Sequence, residues 1–301
     1  MARLAVLFAA VCFGTTGTAQ ALGPEGTSSL AVGAARILAG AALLLLVAAR
    51  LPPSGAGWAR RPLLAAGAGV AVYQLAFFTA VEDTGVAVGT IVAIGSGPAF
   101  AGLLGRAVHG ERLTRRWALA TGLACAGVAL LVGGGEGADV SAPGVALALV
   151  AGASYATYTV AAKGLLTAGH APEAVMARAF TLGAVLLLPV LVATRGGGLG
   201  SPEGLTLVLF LGAIPTALAY VLFARGLQRL SSGETATLTL AEPLTATVLG
   251  IAVLGEDPTA ATAGGAALVL AGLLVLAPRG PRAVVPAPVA LDGAAARSAT
   301  R

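Results

Sequence analysis

Apolar residues along this chain come in runs close to 20 residues long, separated by short connections rich in polar residues, glycine and proline. Ten such segments can be drawn, at 3–22, 28–49, 62–81, 86–105, 116–133, 142–161, 173–193, 203–224, 233–254 and 258–277. A helix rises about 1.5 Å per residue, so each run matches the roughly 30 Å hydrocarbon core of a bilayer. The pattern predicts an all-α integral membrane protein with ten transmembrane helices. Arg3, the apolar stretch after it and Ala19-Gln20-Ala21 also resemble a cleavable signal peptide. Retention is preferred, because the first five segments match the next five and the match needs this one.

Composition agrees with the pattern. Of 301 residues, 57% are hydrophobic and 10% charged, against about a quarter charged in soluble domains. Glycine (43 residues) suggests helices in close approach. The net charge of +5 could signal nucleic acid, but its distribution points elsewhere. With the N-terminus in the cytoplasm, fifteen of the eighteen basic residues fall on the cytoplasmic side, from Arg3 through Arg60, Arg61, Arg106 and Lys163 to Arg301. Outer connections carry Glu25, Glu82, Asp83, Glu136, Asp139, Glu256 and Asp257. This is the positive-inside asymmetry of a ten-span protein with both termini cytoplasmic. No nucleic-acid partner is expected. Cys12 and Cys125 lie inside apolar runs, and His109 and His170 near cytoplasmic helix ends. That gives no metal-ligand spacing, and no cofactor is expected. Residues 278–301 read as a disordered cytoplasmic tail attracted to membrane lipid by its arginines.

One stretch repeats. Pro98-Ala-Phe-Ala-Gly-Leu-Leu-Gly-Arg-Ala-Val-His-Gly-Glu111 and Pro243-Leu-Thr-Ala-Thr-Val-Leu-Gly-Ile-Ala-Val-Leu-Gly-Glu256 share eight of fourteen positions at an offset of 145. An offset of 142 pairs Arg36 with Arg178. Two five-helix units follow, 1–133 and 142–277. Five is odd, so the second unit enters the membrane from the other side. Such inverted-topology repeats suit alternating access around a site shared by the halves.

The repeated Pro-x11-Gly-Glu stretch, the run 240–256, and Gly110-Glu111-Arg112-Leu113-Thr114 followed by the glycine-punctuated 122–131 resemble the drug/metabolite transporter superfamily in its EamA branch. The resemblance covers nearly the whole chain. It implies a carrier of the cytoplasmic membrane, usually exporting amino acids, other small metabolites or drugs, with a central cavity between the halves and no ATPase domain. A Walker A motif is absent from the sequence. The expected function is therefore secondary transport of a small-molecule solute, with protons as the proposed driving ion. A membrane-embedded enzyme or a non-transporting assembly subunit is the competing class, and no nucleophile, acid–base or metal cluster supports the enzyme. Oligomeric state is not readable from the sequence.

Candidate site residues come from polar groups at helix depth. Glu242 lies near the centre of the ninth segment, where a carboxylate costs roughly 2.5–3.5 kcal/mol on insertion scales. It is a candidate for a substrate ammonium or a coupling proton, against a structural role as a protonated acid bonded between helices. Its counterpart in the first half is Gly97. Pro98 and Pro243, with Gly95 and Gly97, predict two interrupted helices that act as hinges and cavity lining, against plain packing kinks. Tyr73, Gln74, Tyr155, Tyr158 and Tyr220 are polar-tipped groups suited to an amphipathic solute, or to interhelical hydrogen bonds. Arg36 and Arg178 are read as interface anchors or carboxylate binders. Trp58 and Trp117 are expected at the membrane interface. Glu111 and Glu256 are expected to cap the helix that follows each, with gating against the opposite half as the alternative. Helices 1, 3, 4, 6, 8 and 9 are expected to line the cavity.

Overall fold

The computed structural model describes residues 1–52, 57–132 and 141–277, and they form helices and connections with no strand among them. Glu136, Asp139, the boundary at 133 and the tail 278–301 lie outside the described residues. Nine helices among the described residues are long and apolar enough to cross a membrane: α1 (Ala2–Ala21), α2 (Ser29–Ala48), α3 (Arg60–Gly85), α4 (Val88–His109), α5 (Arg115–Val132), α6 (Ala142–Thr167), α7 (Pro172–Ala193), α8 (Pro202–Leu227) and α9 (Ser232–Leu254). A shorter apolar helix, α10, covers Ala260–Leu276. Gly85, with φ 78° and ψ 160°, separates α3 from α4 in a backbone conformation that a side chain would resist.

Helix starts follow local chemistry. Ser28, Ser141, Ser201 and Ser231 each accept a hydrogen bond from an amide of the first turn, and Thr259 forms a capping box with Thr262. Proline occupies the first turns of α6, α7 and α8, where its missing N–H costs nothing. Gly110 and Gly255 end α4 and α9 in the left-handed conformation.

Tertiary packing depends on small residues. α5 and α10 lie against each other, and a Cβ on Gly127 would sit 2.6 Å from the Val269 amide nitrogen. Gly265 and Gly272 of α10 meet Leu131, Ala120 and Ala124 in the same way. α2 packs on α7, and α4 packs on α9 where Gly102 and Gly233 meet under the Trp117 ring. Trp117, expected at the membrane interface, packs between helices at this crossing. α1 packs against α8 and α9, and α6 against α3 and α4. Gly67 of α3 abuts Leu182 of α7, while Gly212 of α8 abuts Ala39 and Gly40 of α2.

The interruption predicted for both repeated stretches occurs in one. α4 runs through Gly95–Pro98 without a break, and the Cys125 thiol donates to the Gly95 carbonyl there, 3.2 Å away. α9 departs from the regular α pattern at Thr239–Leu240, tightening into a turn of i→i−3 bonds immediately before Glu242 and Pro243. Pro243 has no N–H for the Thr239 carbonyl, which instead accepts from the Glu242 amide at 2.9 Å. α8 carries a second irregularity. It widens into π-helical turns at Ala213–Leu218 around Pro215, and the Leu211 carbonyl that Pro215 leaves free accepts from Thr216 Oγ1 at 2.8 Å.

Gly127→Val places new atoms against the α10 backbone, which cannot rotate away. It should destabilise the folded protein by about 1–3 kcal/mol, lowering the midpoint of thermal unfolding in detergent. Gly122→Ala, with nothing within 4 Å of the new methyl, should not lower that midpoint and, as a mid-helix glycine replaced by alanine, should raise it slightly.

Candidate functional site

A cavity of about 650 Å³ enters the bundle from one end. Its depth is set by aromatic rings. Phe13 of α1 and Tyr220 of α8 have centroids 4.8 Å apart, Tyr73 of α3 and Tyr155 of α6 6.3 Å, and Tyr220 meets Phe180 of α7 at 4.3 Å. These rings meet at tilted angles and narrow the passage. Above them the wall becomes polar, with Thr16, Thr18 and Gln20 of α1, Thr90 of α4, and Thr239, Glu242 and Thr247 of α9. Leu131, Val132, Leu254 and Glu256 lie toward the mouth.

Glu242, Arg36, Tyr73, Tyr155, Tyr220 and Pro243 all line this cavity. The tightened turn of α9 precedes Glu242 on the cavity wall, and Gly14 of α1 packs so closely there that an added Cβ would lie 2.8 Å from the Glu242 carbonyl oxygen. Thr239 in the same turn is tied to Tyr155 by a 3.2 Å hydroxyl pair. The Glu242 carboxylate has no hydrogen-bond or ion-pair partner among the described residues. Arg36 is held from behind, its Nη2 donating to Gln74 Oε1 at 2.8 Å, while its Nε and the Gln74 Nε2 are buried without a partner. An acid and a guanidinium therefore face one cavity with no direct ion-pair contact between them.

Gln74 and Tyr158 stand behind the wall. Both line a small void of about 10 Å³ beside Tyr73, Tyr155 and Tyr220. Tyr158 is 2% exposed and donates its hydroxyl to Met176 Sδ at 3.0 Å. Gln74 is a positioning group for Arg36. Arg178 lies outside the cavity, its guanidinium 3.8 Å over the Trp58 ring, which stacks in turn on His170. The matched arginines thus have different environments, because the Trp58 ring lies beneath Arg178 where Gln74 holds Arg36. Gly97 lets the Tyr155 ring approach α4, and Gly95 and Pro98 are outside the cavity lining.

The polar face of α1 was not singled out from sequence. Its signal was the run Gly14-Thr15-Thr16-Gly17-Thr18 inside an apolar segment, which the signal-peptide question obscured. α2 and α5 also contribute to the wall, beyond the six helices expected.

The opposite end is closed by polar links between helices. Arg3 pairs with Glu234 at 2.6 Å, and Arg225 with Glu173 at 2.6 Å. Lys163 Nζ donates to the Leu227 and Leu230 carbonyls at 2.8 and 2.9 Å, and Arg116 donates to the Val275 and Ala277 carbonyls. Glu111, expected to cap the helix after it, instead accepts from the first residue of α9 in the other half.

The EamA-like transporter family matches the chain twice, over residues 1–133 and 142–277. The chain belongs to the EamA-like transporter family. Uncharacterized transporter YwfM of Bacillus subtilis (strain 168) is 43% identical over 279 residues, covering 92% of this chain and 94% of that protein. A probable terminal-alkyne amino-acid exporter of Streptantibioticus cattleyicolor is 33% identical over 182 residues, 60% of each chain. A solved crystal structure covers 91% of this chain and 96% of its own with TM-score 0.78 and 21% identity, a likeness of fold alone. This EamA-like protein is accordingly a multi-pass membrane transporter, and the family and its named relatives are carriers rather than enzymes.

In a chain whose Cys12 and Cys125 are replaced by alanine, Thr247→Cys should react with a charged thiol reagent through the mouth. Thr159→Cys, at a position with no exposure, should react at least about tenfold more slowly, as a buried thiol does. Equal rates would mean the cavity is closed to water.

Proposed function

We propose that this protein is a secondary transporter of the cytoplasmic membrane that exports amino acids or related small zwitterionic metabolites by alternating access, driven by the proton gradient. The observation that carries the reading is the pair Glu242 and Arg36, both on the cavity wall and not bonded to each other. A zwitterion presents an ammonium and a carboxylate, the partners these two groups lack. Aromatic rings beside them suit an apolar side chain. The named exporter among the relatives supports the same substrate class for this chain.

Coupling follows from one carboxylate serving two cations. Glu242 holds the substrate ammonium, or it holds a proton. In the open cavity a proton taken from outside displaces the ammonium and the substrate leaves. The carboxyl then carries the proton inward and yields it when the next ammonium binds. Each cycle moves one proton against one substrate.

The architecture proposed is ten spans in two inverted units, 1–133 and 142–277, with both termini cytoplasmic. The packing pairs support it. α2 on α7, α4 on α9 and α5 on α10 join equivalent helices of the two units, and α1 on α8 and α9 mirrors α6 on α3 and α4. Gly67 against Leu182 mirrors Gly212 against Gly40, at the offsets of 145 and 142 read from the sequence. The basic residues Arg3, Arg106, Arg116, Lys163 and Arg225 gather at the closed end, so on this reading the cavity faces outward.

Glu242→Gln keeps size and polarity and removes the charge. In proteoliposomes loaded with a panel of amino acids, it should lower proton-driven efflux by about two orders of magnitude, the cost of losing a desolvated charge pair. A folded Glu242→Gln protein that exports at the wild-type rate at both acidic and alkaline pH sinks the proposal.

A further inference from the structure

The two Gly-Glu pairs of the repeat have the same local shape and opposite engagement. Gly110 (φ 66°) and Gly255 (φ 73°) both turn the chain back, and Glu111 and Glu256 donate their amides to the carbonyls of Gly105 at 3.3 Å and Gly250 at 3.2 Å. Each carboxylate then lies over the glycine of the preceding turn, close enough that a Cβ there would collide with it, 2.3 Å away at Gly105 and 2.2 Å at Gly250. The spacing Gly-x4-Gly-Glu is thus a device for laying a carboxylate along the end of its own helix.

Glu111 is engaged. Its two oxygens accept from the Ser232 amide at 3.0 and 2.9 Å, and from Ser232 Oγ at 3.0 Å. Ser232 opens α9, so one carboxylate of the first half holds a helix N-terminus of the second, where the helix dipole favours negative charge. Glu256 is exposed at the cavity mouth, with no hydrogen-bond partner for its carboxylate among the described residues. The offset of 145 puts its counterpart partner at residue 87, between the break at Gly85 and the start of α4 at Val88.

Other equivalent positions differ in the same sense. Thr90 and Val81 line the cavity, whereas Thr235 and Gly226, 145 residues later, are buried at the closed end. We infer that Glu111 and Glu256 are alternating latches: Glu111 holds the cytoplasmic end shut in the state seen here, and Glu256 takes the amino end of α4 when the mouth closes and the other end opens. The inference rests on the alternating-access reading of the proposed function.

Its test reads conformation without flux. In the cysteine-free chain, membrane-impermeant thiol labelling of Thr247→Cys is measured from outside in cells, and of Thr235→Cys from the cytoplasmic face in inverted vesicles. Glu256→Ala should slow Thr235→Cys labelling about tenfold, the shift expected from one lost charge-assisted cap. Glu111→Ala should speed it by a similar factor and slow Thr247→Cys. Glu256 is exposed and its loss leaves the packed end intact, so that variant tests the latch even if Glu111→Ala fails to fold. Unchanged labelling of both cysteines in Glu256→Ala overturns the latch. A protein that fails to carry amino acids can still show the switch, and an active amino-acid exporter with unmoved labelling rejects the latch alone.

Discussion

An ionisable carboxyl group at the depth of the hydrocarbon core has to reach water, a cation or a proton, and Glu242 sets that requirement for this bundle. The structure meets it with a cavity whose wall turns polar at this depth. α9 tightens into an irregular turn just before Glu242, α1 presents threonines and a glutamine, and tyrosines and phenylalanines pack against one another beneath. Irregular backbone within a membrane is tolerated where it borders a polar cavity, and the Thr239 carbonyl that loses its usual donor at Pro243 takes the Glu242 amide instead, at such a border. Glycines carry the rest, because the close approach of α5 to α10 and of α4 to α9 leaves no volume for side chains at the crossings.

The two halves share a scaffold and divide the chemistry. Their Gly-Glu ends, their packing partners and their proline positions correspond. The acid belongs to one half, since Gly97 stands opposite Glu242 and admits the Tyr155 ring instead. The arginine on the cavity wall belongs to the other half. Arg36 is tied to Gln74, while Arg178 rests on Trp58. On the proposed reading each half thus contributes one charge to a site that neither could build alone.

Helix positions and the repeat were legible because both are periodic and local: apolar runs of bilayer length, and an eight-in-fourteen match. The Pro98 and Pro243 motifs look alike in sequence, yet only α9 departs from a regular α-helix there. A proline removes one donor in either helix, and whether the turn changes depends on neighbours such as Gly14 and Tyr155, which come from other segments. The same limit hid the division between Arg36 and Arg178, the packing role of Trp117, and the reach of Glu111 across to Ser232. In each case the partner lies on a distant helix, and residue type alone does not name it. Among the polar aromatics, Tyr73, Tyr155 and Tyr220 could not be told from Tyr158 by type or spacing, since a difference of one helix face decides which meets the cavity.

The central claim is that Glu242 and Arg36 together recognise a zwitterion. Protection of Thr247→Cys from thiol labelling tests it directly, with free amino acids compared against their N-acetyl and methyl-ester derivatives. The account predicts that free amino acids slow the labelling, that either derivative fails to, and that Glu242→Gln abolishes the effect. Equal protection by the free and blocked forms, or protection that survives in Glu242→Gln, would contradict it.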